Sequence, residues 1–266
     1  RREAYEDCDV TVDALGLEIL PKITLILRHL LPDRGIPVSL DGQECPVVAT
    51  ADGPASLRPL ATGRRVVLLT DQNVARHQLD RYRAVIPNAV PIVVPPGESS
   101  KSLASAERVY EQMLEAHVER GDLLVALGGG VVTDFGAFVA ATFKRGMDFA
   151  LASTSLLGCV DAAVGGKSAV NVGVSKNQVG LFTIPKRVVL DMFALSSLPR
   201  EQVCEGLVEA YKTGLALDPE LSRFIEKQCA ELLRGDLRAV AHVAGASAEA
   251  KGRVVTVDFR EKGLRR

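Results

Sequence analysis

The sequence predicts an α/β fold, a helix-covered parallel sheet followed by an all-helical region. Three observations predict it. Short apolar runs recur between helix-length segments, a glycine run closes one of them just before a helix, and past Pro199 strand signals give way to helical periodicity. The 266 residues are 47% hydrophobic with a formal net charge of -1, which suits one or two globular domains with a sizeable core and excludes a disordered tail.

Element by element, residues 65–70 (RVVLLT) form a buried parallel strand, closed by Asp71-Gln72-Asn73 at a helix entry. Residues 91–94 are the next strand. From Lys101 to Arg120 a helix places Leu103, Ala106, Tyr110, Met113, Leu114 and His117 on one stripe, and His117 is read as a core-edge residue of that helix. Residues 123–127 return to strand, Gly128-Gly129-Gly130 follows, and residues 131–143 continue as an apolar helix of small residues. The alternation is that of a parallel sheet covered by helices. Residues 201–217, 219–233 and 237–254 then read as successive helices, with a domain boundary near Leu198-Pro199.

Composition narrows the function. Near-neutral charge and 5% aromatics give neither a field nor a stacking platform for nucleic acid, so the partner is expected to be a small molecule. Five dispersed cysteines without a C-x-x-C pair fit a reducing cytoplasm. No apolar stretch reaches the roughly 18–20 residues of a membrane span, and the charged start lacks the core of a signal peptide.

Four motifs carry chemistry. Gly128 to Asp134 (GGGVVTD) lies between a strand and a helix, where glycine lets backbone N–H groups approach a pyrophosphate at the positive end of the helix dipole. Thr133 stands where a dinucleotide fingerprint has its third glycine, and a turn needed only for packing is the alternative. Asp161 to Ser168 (DAAVGGKS) ends like a nucleotide-triphosphate loop, but Asp161 replaces the required first glycine and would repel a phosphate. The double glycine beside Lys167 fits either an anion-receiving loop or a surface turn.

Lys176-Asn177 lies within residues 168–182, which contain no acidic residue; this fits a pocket for an anionic substrate or a solvated basic loop. Glu205, Glu209 and Lys212 share one side of a helix at i, i+4 and i+7. Apolar neighbours, Leu207, Val208, Ala210 and Tyr211, point to a partly buried carboxylate, against a plain surface pair between Glu209 and Lys212. His29, His77, His117 and His242 are too far apart in sequence to assemble a zinc site locally.

Taken in order, PPGESSK (95–101), ALGGGVVTDFGAFVAATFKRG (126–146), STSLLGCVDAAVGGKSAVN (153–171), SKNQVGLFTIP (175–185), LPREQVCEGLVEAYKTG (198–214) and DFREKGLR (258–265) resemble 3-dehydroquinate synthase, from about Val38 to Arg266. The resemblance implies a Rossmann-like, parallel-sheet NAD-binding domain over residues 34–198 and an incomplete all-helical metal-binding domain over residues 199–266. It implies NAD at Asp71, Asn73, Glu98, Lys101, Gly129, Gly130, Asp134, Thr154 and Ser155. Substrate binding and catalysis fall to Asp161, Lys167, Lys176, Asn177 and Lys212, joined by Arg145, Lys251 and Arg265. Glu209 matches the first ligand of a Zn2+ (or Co2+) ion.

In that family 3-deoxy-D-arabino-heptulosonate 7-phosphate becomes 3-dehydroquinate plus phosphate in the shikimate pathway, by a cytoplasmic homodimer. Transient oxidation by NAD+ of a zinc-polarised hydroxyl permits phosphate elimination; reduction, ring opening and an intramolecular aldol follow. The cations at 145, 167, 176, 212, 251 and 265 would meet the substrate's carboxylate and phosphate. The alternatives are another sugar-phosphate cyclase, such as a 2-deoxy-scyllo-inosose or valiolone synthase, a polyol or glycerol-phosphate dehydrogenase, and an NAD-binding module without catalysis.

The family pattern continues into an L-N-x-G-H-T-x-x-H segment and a later histidine, two of which complete the zinc site. Catalytic zinc takes three protein ligands, so Glu209 alone would not hold it and a truncated enzyme, with both histidines beyond residue 266, is the expectation. Thr133 for glycine, Ser155 for threonine and Met192 for a polar residue are departures. Residues 1–33 fall outside the pattern and resemble the C-terminal end of shikimate kinase, which points to a fusion or an N-terminal extension.

Overall fold

The computed structural model describes Arg28 and residues 30–263. The kinase-like segment lies almost wholly outside the described residues, as do His29 and Arg265. Continuous apolar runs build the centre of one sheet: β5 (Val66–Asp71), β7 (Leu123–Gly128), β8 (Asp148–Ser153) and β11 (Arg187–Asp191) are buried along almost their whole length. Strands buried on both faces require helices on both sides. With β6 (Val90–Val94), β4 (Val47–Thr50) and β1 (Arg34–Ile36) they form seven strands in the order β1-β4-β11-β8-β7-β5-β6, parallel except for β1.

Two short hairpin elements stand apart from this sheet. β2 (Ser39–Leu40) pairs with β3 (Gln43–Glu44), and β9 (Lys167–Val172) pairs antiparallel with β10 (Ser175–Phe182). The sequence offers a pocket for an anion or a solvated basic loop over residues 168–182, and shows no strand there. Lys167 opens a strand, not the helix that a nucleotide-triphosphate loop would need.

α1 (Gly53–Ala61) follows β4, and α2 runs over residues 72–85 with a π-helical turn at Ala75–Leu79. α3 (Leu103–Glu115) is shorter than expected and rotated: Ala106, Val109 and Met113 are buried, whereas Leu103 is 50% and Leu114 55% exposed. His117 is not a core-edge residue. It is exposed past the helix end at φ 52, where the left-handed backbone closes the helix.

α4 (Gly130–Thr142) packs closely on β7. The third glycine's packing role has moved to Gly136, where an added Cβ would stand 2.4 Å from the Ala126 Cβ. Thr133 fits because its Oγ1 turns back into its own helix, donating to the Gly130 carbonyl at 3.1 Å. From Arg200 the described chain is helical: α5 (Arg200–Leu217), α6 (Pro219–Lys227), α7 (Cys229–Leu233) and α8 (Leu237–Val257). Among the described residues no helix is long and apolar enough to cross a membrane.

Candidate active site

Strand order places a cleft. From β5 the chain steps to β6 on one side, and then to β7, β8 and β11 on the other. Loops leaving the carboxyl ends of strands at such a reversal diverge and open a crevice. The crevice here has a volume of ≈ 530 Å³, and Asp71, Asn73, Gly129, Gly130, Thr154 and Ser155 line it. Six residues assigned to the dinucleotide thus share one cavity.

The local geometry explains those residue types. Asp71 turns β5 into α2 by accepting from the Asn73 and Val74 backbone N–H groups at 2.8 and 3.0 Å, both through Oδ1. Gly129 caps α4 without any side-chain hydrogen bond, so the first-turn N–H groups at Gly130, Val131 and Val132 have no intrahelical partner, and all three residues border the cleft. A Cβ on Gly129 would stand 3.0 Å from the Ser155 Oγ, and one on Gly130 would stand 3.1 Å from the Ala162 Cβ. This bare helix end fits a pyrophosphate.

Beside the cleft lies a polar network. Asn171 on β9 donates its Nδ2 to Glu98 at 2.7 Å and accepts from the Asn177 backbone N–H at 2.9 Å. Asn177 reaches it from a register irregularity in β10 at φ 57, a left-handed conformation that asparagine tolerates. Lys101, 3% exposed, donates to Asp134 and to the Asn177 Oδ1, both at 2.6 Å. Glu98, Lys101 and Asp134, carried over as cofactor positions, are thus tied to the hairpin and do not border the cavity.

The two sets of carboxylates are electrostatically joined. Removal from water holds the Asp134 carboxyl above the ordinary aspartate range; Lys101 pulls it down and the charge of Asp161 pushes it up further. Removal from water also opposes ionisation of Asp161, but Lys251, Lys212 and Lys167 together outweigh it, Lys251 foremost, and the carboxyl lies below the ordinary range. Lys251, on α8, forms an ion pair with Asp161. Three of the predicted cations therefore act on one carboxylate.

Other predicted residues end elsewhere. Arg145 lies exposed past the far end of the 13-residue α4, about 20 Å from the helix start, so this chain's own Arg145 does not join the cluster. Lys176 is exposed on β10, and Glu205 is exposed on α5. Glu209 is paired with Lys212, itself 69% exposed, and Lys167 with Glu261. Among the described residues no three His, Cys, Asp or Glu side chains are grouped to hold a metal. One carboxylate does not make a zinc site. Burial pushes the Cys45 and Cys159 thiols up to about 12, which excludes both as nucleophiles.

Sequence reasoning missed Asn171, although it ends one of the quoted blocks, and missed Gln78 and Ser197 in the cleft wall. Position 171 carries no local signal, because its role depends on a hairpin that pattern did not reveal.

Residues 91–205 match the family model for the 3-dehydroquinate synthase N-terminal domain. The 2-epi-5-epi-valiolone synthase of Streptomyces hygroscopicus subsp. jinggangensis 5008, solved with NAD+ and Zn2+ bound, matches with a TM-score of 0.76 at 26% identity, over 86% of this chain and 64% of that one. The likeness to the 3-dehydroquinate synthase N-terminal domain is thus confined to the stretch from β6 into the start of α5. A 2-deoxy-scyllo-inosose synthase solved with carbaglucose-6-phosphate, NAD+ and Co2+ shares the fold, with a TM-score of 0.79 at 21% identity over 87% of this chain and 65% of that one. An iron-containing alcohol dehydrogenase from Thermotoga maritima shares the fold at a TM-score of 0.64 and 16% identity, over 78% and 66%. The chain spans just under two thirds of the length of the two synthases.

Proposed function

We propose that the cleft binds NAD and that the adjoining cluster binds a phosphorylated sugar, as in a sugar-phosphate cyclase, with 3-deoxy-D-arabino-heptulosonate 7-phosphate to 3-dehydroquinate as the reaction. The observation that carries this is the contact between Gly130, at the bare end of α4, and Ala162, next to Asp161, which sets the dinucleotide seat directly against the cationic cluster.

The residues divide the work. The α4 N-terminus receives the pyrophosphate, and Asp71, whose Oδ1 caps α2, offers its other oxygen to a ribose hydroxyl. Lys251, Lys212 and Lys167 supply positive charge for the substrate's phosphate and carboxylate, and Asp161 orients Lys251 by the ion pair between them. Lys101 fixes the Asn177 amide, so that its Nδ2 is presented away from the lysine. When bound, NAD supplies reversible hydride removal from a substrate carbinol. Glu209 is proposed as one ligand of a Zn2+ or Co2+ ion. The described residues supply no others. A homodimer belongs to the proposal.

The test is to mix the chain with NAD+, Zn2+ and each candidate sugar phosphate, then measure released phosphate and identify the carbocycle. A heptulosonate that yields 3-dehydroquinate supports the reading; a heptose or hexose phosphate that cyclises instead assigns a related synthase. NAD+ binding without phosphate release from any substrate would reduce the chain to a binding module, and net NADH would make it a dehydrogenase.

A further inference from the structure

Gln78 is only 3% exposed, yet it forms part of the cleft wall. One side of its amide is held by Arg81, whose Nη1 donates to Oε1 at 2.7 Å. A guanidinium has only donors, so this contact decides which end of the amide carries oxygen and turns Nε2 the other way. Nε2 donates to the Ser197 Oγ at 3.3 Å, and the Ser197 hydroxyl proton goes to the Ala194 carbonyl at 2.7 Å. A primary amide has two N–H groups. The second has no partner among the described residues.

Arg81 is not free to let the amide rotate. Its Nη2 donates to both oxygens of Asp191 at 2.8 and 2.7 Å, and its guanidinium lies 4.5 Å from the centroid of the Phe193 ring. Asp191 is fully buried and Arg81 is 7% exposed. A donor fixed in orientation and shielded from water discriminates between ligands, because a ligand lacking the matching acceptor leaves the N–H unpaired.

We infer that Gln78 is a specificity-determining hydrogen-bond donor for the nucleotide of this cleft, held in that orientation by Arg81. This rests on the dinucleotide reading above. Its target is an acceptor atom on the adenosine half, since Gln78 lies along α2 from Asp71 and Asn73 while the Gly129–Gly130 end receives phosphate.

The experiment is calorimetric titration of NAD+ and of ADP into the chain and into two variants, with a melting curve for each. Gln78→Glu keeps the shape and the acceptor facing Arg81 but presents no N–H; Gln78→Met removes the donor without adding charge. Both variants are expected to weaken both ligands roughly tenfold, with the Gln78→Glu melting temperature unchanged. Wild-type affinity in both variants would overturn the inference and leave the NAD reading standing. Weakening by Gln78→Glu alone would also overturn it, by assigning the effect to charge. A wild-type chain that binds neither NAD+ nor ADP would overturn the reading of the cleft and the inference with it.

Discussion

Gly130 and Ala162 meet so closely that a Cβ on the glycine would stand 3.1 Å from the alanine Cβ. The contact presses the N-terminus of α4 against the π-helical turn Gly158–Ala162, which carries Asp161. Distance between the proposed dinucleotide seat and the lysine cluster is therefore set by two residues with almost no side chain.

Gly130→Val should separate them. Overpacking of this kind costs about 1–3 kcal/mol, and the displaced helix end should bind NAD+ at least tenfold more weakly, read by titration alongside a urea unfolding curve. Unchanged affinity would mean that the α4 terminus does not receive the pyrophosphate.

Asp161 gives a pH signature. Burial raises its folded value, but the surrounding lysines, Lys251 foremost, hold it below the ordinary range. The stability it contributes is complete above the ordinary aspartate value of about 3.9 and is lost as pH falls through the lower folded value. Lys251→Met should shrink or remove that acid limb, because burial then carries the folded value back up towards the ordinary one. Asp134 runs the other way: its folded value is raised, so its protonation on acidification favours the folded state. Urea unfolding from pH 3 to pH 6, roughly spanning the ordinary aspartate range, in wild type, Lys251→Met and Asp134→Asn separates the two. An acid limb that Lys251→Met leaves in place would remove the ion pair from the account.

Much of this architecture was legible. Residues 65–70 and 123–127 are uninterrupted apolar runs, and a strand buried on both faces reads that way. The hairpin was not legible, because every residue of β10 is exposed and no alternation of apolar with polar marks the strand. Its loss hid Asn171 and the partners of Lys101. Pairs such as Lys251 with Asp161, 90 positions apart, come together only through the packing of α8 on the turn, and family resemblance alone had placed them in one site. Gln78 and Ser197 had no such resemblance to mark them.

The Lys101–Asp134 pair should prove coupled. Lys101→Met leaves a largely buried carboxylate without its cation and should cost roughly 3 kcal/mol, since breaking one partner strands the other charge. Lys101→Met with Asp134→Leu should recover part of that loss. If the double variant is merely the sum of the singles, the bond at 2.6 Å contributes no interaction of its own.

Asp191 supports the cleft from beneath. It accepts from Arg81, from the Tyr82 hydroxyl at 2.7 Å and from the Ala194 N–H at 3.3 Å, and a Cβ on Gly53 would fall 2.5 Å from its Oδ2. Asp191→Ala leaves a buried guanidinium uncompensated, at a cost of about 3–5 kcal/mol in unfolding free energy. It also frees Arg81, and with it the Gln78 amide. Nucleotide affinity should then fall in Asp191→Ala even under conditions where the chain is fully folded. Because both changes act through one amide, Asp191→Ala combined with Gln78→Glu should weaken ADP no more than the worse single variant. Additive losses would mean that Asp191 stabilises the fold without orienting the cleft wall.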